Sequence, residues 1–339
     1  MADSLCLAID TMGGDSGPRT TVPATLDILR QHPSLSVVLL GNTHQIQQYL
    51  VNSSGISANR YRIQHCSESV SMEEKPSSAV RNKRDSSMWH ALKLVADGEA
   101  DACISAGNTG ALMAMSLLQI GTLPGISRPA ICTKVPSVIG HTYLLDLGAN
   151  VICSGEQLYQ FGMMASKAAM VIDDNKRPSV GLLNIGVEDI KGRQEILDAA
   201  ELLKADREIH YVGFVEGDAL FMGAADIVVC DGFSGNVALK TSEGVALMLQ
   251  HFLKQTLSES LLAKIGAYLA QAALKKLQRT VDPSEYNGAS LLGLRGVVVK
   301  SHGGASKNGF SRALAVAINE AERDLPLLIE ERLANLANE

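Results

Sequence analysis

Six short stretches rich in glycine and small polar residues carry the residues that could do chemistry: DTMGGDSGP (10–18), SAGNTGA (105–111), DLGAN (146–150), NIGVEDIKG (184–192), CDGFSGN (230–236) and SHGGASKNG (301–309). Glycine lets backbone N–H groups come close to an anion, and a helix N-terminus that follows adds partial positive charge. In a parallel α/β sheet such loops gather at the carboxyl ends of the strands, where ligands bind. Six of them therefore predict one rim suited to a phosphate-like ligand, with Gly13, Gly14, Asn108, Thr109, Gly110 and Gly235 as candidate contacts. For any single loop, a tight turn alone would account for the glycines.

The polar side chains in these loops have two readings each. Lys191 could hold phosphate or polarise a carbonyl as oxyanion charge develops; a solvated lysine at a helix start is the alternative. Asn236 could donate to a substrate carbonyl, or serve as a cap or left-handed turn residue. Asn108 and Asn150 stand in similar settings, with capping at least as good an account. His302 could bind phosphate or move a proton, or make a hydrogen bond within its loop. The segment 73–87, EEKPSSAVRNKRDSS, reads as a basic loop whose Lys75, Arg81, Lys83 and Ser86 could contact phosphate, Ser86 also being placed to cap a helix over 86–97. Asp10, Asp15 and Asp231 would repel phosphate and read better as residues that orient lysines or cap helices.

Other chemistries lack their patterns. GxGxxG, GxxxxGK[ST], GxSxG and HExxH do not occur, so no nucleotide cofactor, metal or covalent nucleophile is expected. Cys6, Cys66, Cys103, Cys132, Cys153 and Cys230 form no CxxC pair and sit mostly in apolar runs, which suits reduced, buried thiols in cytosol. The net charge of −6 disfavours nucleic acid as a partner. No signal peptide or membrane-spanning run is expected.

The elements that must position these loops alternate. Strands are predicted at 5–9, 37–40, 102–105, 130–134, 143–146, 180–184, 210–214, 226–230 and 297–300. Helices are predicted at 19–31, 86–97, 154–172, 191–204 and 305–322. This is a single α/β unit over 1–339, three-layered α/β/α with a mostly parallel sheet. Residues 243–280 depart from the alternation: two helical patterns follow one another and read as a projecting helical hairpin. Its apolar stripe predicts burial against the same hairpin of a second subunit. Leu261 and Leu262, at the bend, would dip into a bilayer interface. Lys264, Lys275, Lys276 and Arg279 would attract an acidic partner.

The stretches IDTMGGDSGP, SAGNTGALM, LLDLGAN, LLNIGVEDIKG, GFVEGD, DIVVCDGFSGNVALKTSEG and LLGLRGVVVKSHG, in this order along the whole chain, resemble the phosphate acyltransferases that act on acyl carrier protein thioesters. The resemblance implies conversion of acyl-ACP and inorganic phosphate to acyl-phosphate and free carrier protein for phospholipid synthesis, without a cofactor. It also implies a fold like the isocitrate dehydrogenase and phosphotransacetylase group, and a cytoplasmic homodimer associated peripherally with the inner face of the membrane. An acylglycerol-phosphate acyltransferase would act downstream. Three positions depart from the family pattern: Asn287 and Ser290 in the stretch 286–293, where the family has Gly and Pro, and Val187, where it has an acid.

Overall fold

The structure, a computed structural model, describes residues 5–336, without the side chains of Asn52, Arg279, Val281, Pro283 and Leu336. The strands are β1 (Cys6–Asp10), β2 (Ser36–Gly41), β3 (Tyr61–His65), β4 (Ala102–Ser105), β5 (Ala130–Ser137), β6 (Gly140–Leu145), β7 (Ser179–Leu183), β8 (His210–Val215), β9 (Ile227–Val229), β10 (Ala289–Leu292) and β11 (Val297–Lys300). The helices are α1 (Pro18–Gln31), α2 (Thr43–Tyr49), α3 (Pro76–Asn82), α4 (Ser87–Ala96), α5 (Thr109–Gln119), α6 (Gly155–Ile172), α7 (Gln194–Ala205), α8 (Gly232–Thr256), α9 (Leu261–Leu269), α10 (Gln271–Val281), α11 (Lys307–Glu322) and α12 (Leu325–Leu336).

All eleven strands form one sheet in the order β3-β2-β1-β4-β11-β10-β5-β6-β9-β7-β8. Helices cover both faces. Alternate residues of each strand point to opposite sides, so Leu7 and Ile9 pack towards α1 and α11, while Ala8 faces α4 and α5. The core below α4 and α5 continues across the sheet to Leu144 and Val228, where Leu239 of α8 joins it. On the other face of that half, Phe161, Met164 and Leu203 pack on Leu182, Ile227 and Val229.

Most pairings are parallel, but β10 runs against both β11 and β5, and β5 runs against β6. The strands β6, β9, β7 and β8 consequently point opposite to β1, β2, β3, β4 and β11. This corrects the expectation of a single rim. Loops 10–18, 105–111 and 301–309 leave carboxyl ends on one edge of the sheet, here the first rim. Loops 146–150, 184–192 and 230–236 leave the opposite edge, the second rim. Composition could not reveal the reversal: β10 runs against both neighbours and so leaves β5 parallel to β11, and the direction changes at the antiparallel pair β5–β6, which residue type alone does not distinguish from two parallel strands.

The basic segment 73–87 is not all loop: it contains the two turns of α3, with Pro76 at the first position, where its missing N–H costs nothing. In 243–280, α8 continues from the second rim, and the pattern after Leu261 splits into α9 and α10 at Ala270. No residue of α9 is buried.

Candidate active site

On the first rim, Asp10, Ser105 and Lys300 end three neighbouring strands in mutual register and face the α4 side. All three are buried. Asp10 accepts hydrogen bonds from the Ser87 hydroxyl (2.5 Å), the Ser105 hydroxyl (2.6 Å) and the Met12 N–H (3.3 Å). Burial pushes its carboxyl pKa up, against those bonds. Ser105 Oγ in turn accepts from the Gly107 N–H at 3.0 Å. The three glycine loops touch backbone to backbone. A Cβ on Gly14, whose φ is +84°, would meet the Gly303 carbonyl at 2.8 Å, so only glycine fits there. Asp15 N–H donates to that same carbonyl.

His302 is exposed beyond the end of β11. Its Nδ1 accepts from the Gly304 N–H at 3.1 Å, so the neutral ring carries its proton on Nε2 and presents a donor. Burial of part of the ring, then Lys240, holds its pKa below the ordinary value. Lys240 and Glu243 belong to α8, which begins on the second rim and runs back across the sheet. Asn236 lies one turn before Lys240, on the same side of the helix. The first three turns of α8, about 15 Å long, thus link the two rims.

The second rim is built round Asp146, whose carboxylate accepts from the N–H groups of Ile131 (2.9 Å), Ala149 (3.2 Å) and Asn150 (2.6 Å). The Asn150 side chain donates to Asp146 and to the Pro129 carbonyl, so it is a structural brace. Gly235 is buried, and a Cβ there would collide with the Asp146 carbonyl. Close packing of α8 on the 146–150 loop explains this glycine. Asp231 caps α8 through the Ser234 N–H (2.7 Å) and pairs with Arg193. Arg193 therefore ties the loop carrying Lys191 to the start of α8; its helix-start position hid this role in the sequence. Lys191 itself is exposed and pairs with Glu188 at 2.7 Å.

The remaining candidates divide. Asn108 caps α5 through the Ala111 N–H, and its amide donates to the carbonyls of Ser71 (3.3 Å), Met72 (2.8 Å) and Glu74 (2.9 Å). Both N–H donors of its amide go to holding that loop. Ser86 is wholly buried, capping α4 at the Trp89 N–H and donating to the Lys83 carbonyl. Both serve as caps, the second reading the sequence offered for each. Lys83 pairs with Glu68 at 3.4 Å. Lys75, Arg81, Thr109 and Gly110 are exposed beside the first rim, and Gly13 packs against the Gly107 backbone. The prediction thus combined two clusters: Gly13, Gly14, Thr109, Gly110, Lys75, Arg81 and His302 on one edge, Lys191, Gly235 and Asn236 on the other.

Lys264, Lys275 and Lys276 are exposed on α9 and α10, whereas the Arg279 side chain lies outside the described residues. Lys275 and Lys276 line a cavity of about 540 Å³ with Glu285, Tyr286 and Arg312. Leu261 and Leu262 are 77% and 81% exposed. Burial pushes the Cys153 thiol up to about 12, and raises Cys103 and Cys230 well above the ordinary value. None offers a thiolate near neutral pH. Among the described residues no cluster of His, Cys, Asp and Glu could hold a metal, and no helix is long and apolar enough to cross a membrane.

The three departures have visible settings. Asn287 donates to the Ser301 hydroxyl (2.8 Å) and the Gly309 carbonyl (2.7 Å), and accepts from the His302 N–H (2.8 Å). It latches the loop carrying His302. Ser290 donates to the buried Glu320 carboxyl at 2.7 Å. Val187 is exposed, and nothing in the structure explains it.

Residues 5–327 match the family model described as fatty acid synthesis protein. A phosphate acyltransferase of Methylococcus capsulatus is 51% identical over 330 residues, 97% of each chain. One from Halorhodospira halophila is 50% identical over 336 residues, 99% of this chain and 98% of its own. Among solved structures, a phosphotransacetylase from Streptococcus pyogenes superposes with a TM-score of 0.65 at 16% identity, covering 95% of both chains. A branched-chain phosphotransacylase from Enterococcus faecalis gives 0.58 at 15% identity, covering 94% of this chain and 99% of its own. These two likenesses show the fold.

Proposed function

The chain belongs to the phosphate acyltransferase family, and from that premise we propose that inorganic phosphate attacks the thioester of an acyl carrier protein in the cleft between the first rim and α8. The phosphate oxygen bonds to the thioester carbonyl carbon. The C–S bond breaks, and the carrier's thiolate leaves and takes up the proton that phosphate gives up. Thiolate is a good leaving group, so positioning and carbonyl polarisation suffice without a covalent enzyme intermediate. Asn236 donates to the carbonyl as it becomes an oxyanion. His302, through Nε2–H, and the first-rim backbone orient phosphate. Lys191 acts from beside the start of α8, its loop held there by Arg193.

The observation that carries this reading is that α8 brings Lys240 and Glu243 within electrostatic reach of His302, with Asn236 one turn away on the same side. The test is formation of acyl-phosphate by purified protein from acyl-ACP and phosphate, with no added nucleotide or metal. Strict dependence on NAD or a divalent ion would refute it.

Partner surfaces follow from charge and exposure. Lys264, Lys275 and Lys276, joined by Arg312, offer a basic surface to an acidic carrier protein. The exposed row Val245, Leu249, Phe252 and Leu253 of α8 suits a second subunit. Leu261 and Leu262, beside Lys264, suit shallow contact with a bilayer, where an acylglycerol-phosphate acyltransferase would take the product.

A further inference from the structure

We propose that Lys300 supplies the fixed positive charge of the site that binds inorganic phosphate, from beneath the glycine loops of the first rim; this rests on the reading of the reaction as acyl transfer to phosphate. Lys300 is 8% exposed. Its ammonium donates to the Ala106 carbonyl (3.4 Å) and to its neighbour, the Ser301 carbonyl. These are the residues from which two of the three glycine loops spring. An ammonium has three N–H donors, so one remains.

No ion pair involves Lys300 among the described residues, and the nearest buried carboxylate, Asp10, is occupied by Ser87, Ser105 and the Met12 N–H. A buried charge without a paired counter-charge is costly, and cations almost never stay fully buried unless paired. The missing partner is an anion from outside the chain, at the point where three glycine loops meet and α5 and α11 begin. Sequence reasoning passed over this lysine because it closes an apolar strand, VVVK, one residue before the loop.

Two sources could supply a phosphate oxyanion: free inorganic phosphate, or the phosphodiester in a carrier protein's prosthetic arm. Full-length Lys300→Met and Lys300→Arg proteins, compared with wild type, separate them. Loss of one charge-assisted contact corresponds to about ten- to hundredfold in affinity. Lys300→Met should therefore raise the KM for phosphate by that factor and leave the KM for acyl-ACP within about twofold. It should also abolish the rise in Tm that inorganic phosphate alone gives the wild type, while Lys300→Arg keeps part of both. An unchanged phosphate KM in a folded Lys300→Met protein overturns the proposal. So does an effect confined to the KM for acyl-ACP.

If Lys300→Met does not fold, the wild type decides. Burial lowers the Lys300 pKa to about 8, Asp10 opposing and Lys240 adding to it. The charged groups acting on it are Asp10, Asp15 and Lys240, and it faces His302, on which Glu243 also acts. His302, held below its ordinary 6.5, is neutral above pH 7.5. The phosphate KM should climb about tenfold per pH unit above about pH 8, and a flat profile to pH 9.5 overturns the proposal. Should the wild type form no acyl-phosphate, the reaction reading fails, while the phosphate-dependent Tm shift, read by dependence on Lys300 or on pH, still judges the site.

Discussion

Glu320, in α11, is a carboxyl inside the core with one hydrogen bond, from Ser290. Burial raises its pKa from the ordinary 4.5 to about 7; the Ser290 bond and Lys134 oppose the shift. The folded value lies above the unfolded one. The acid form therefore suits the fold fully below pH 4.5, and that advantage is lost as pH rises to about 7. At about 1.4 kcal/mol per pH unit, ionisation costs about 3 kcal/mol of stability by pH 8. Replacing Glu320 with Gln removes this proton. The amide still accepts from Ser290, but its buried NH2 lacks an acceptor, a fixed cost of about 1–3 kcal/mol. The variant should be the less stable protein at pH 5 and should gain about 3 kcal/mol relative to wild type by pH 8. In a chain of 339 residues that corresponds to about 4 °C in Tm. Calorimetry from pH 5 to 8 on both proteins checks this. All other titrations cancel in the difference, so parallel Tm curves would refute the reasoning, and convergence towards high pH would support it.

Lys191→Ala and Asn236→Ala should each lower turnover on the order of 100-fold, as loss of an oxyanion donor does, and full activity in either folded variant removes that residue from the mechanism. Asn287→Gly, which restores the family residue, deletes three hydrogen bonds to the 301–309 loop; a raised phosphate KM with an unchanged acyl-ACP KM is expected, and hydrogen exchange should quicken at Gly303 and Gly304. Leu261→Glu with Leu262→Glu should release the protein from anionic liposomes while its solution activity persists; a double variant that still floats with vesicles shows that the tip is not the anchor. Lys264→Glu with Lys276→Glu should raise the KM for acyl-ACP at low salt and flatten its salt dependence, which a salt series of steady-state rates reads directly.

Strand ends were legible where apolar β-branched runs stop at glycine: β4 and β11 fall at the predicted residues, and β1, β2, β7 and β9 within one residue at each end. Two strands were not. β3, YRIQH at the sheet edge, mixes polar and apolar residues without a buried face. β10 is four residues long, and only its long-range partners make it a strand. The reversal of direction lies in the antiparallel pairing of β5 with β6, both read as members of a mostly parallel sheet, so loops on two edges read as one rim. At the site, the structure leaves the side chains of Lys191, Asn236 and His302 exposed. At Asn108 and Ser86 residue type left two readings open, because a cap and a ligand contact call for the same side chains, and the structure shows the caps. Residue type was silent at Lys300, since only the fold shows that this lysine is buried and, among the described residues, without an ion pair.

The placement of the late strands β11 and β10 between β4 and β5 also constrains how the chain reaches its native state. β11 lies between β4 and β10, and the Lys300–Ala106 bond spans 194 residues. β10 then meets β5, with Thr133 donating to the Tyr286 carbonyl 153 residues on. During synthesis the segment through β4 can assemble early, but it must hold an open edge at β4 until nearly the whole chain has emerged. Such non-local closure slows folding, and an unpaired edge strand invites pairing with another chain. The last strand to arrive carries Lys300 and leads into His302, so the chain completes its sheet and its first rim in one late step.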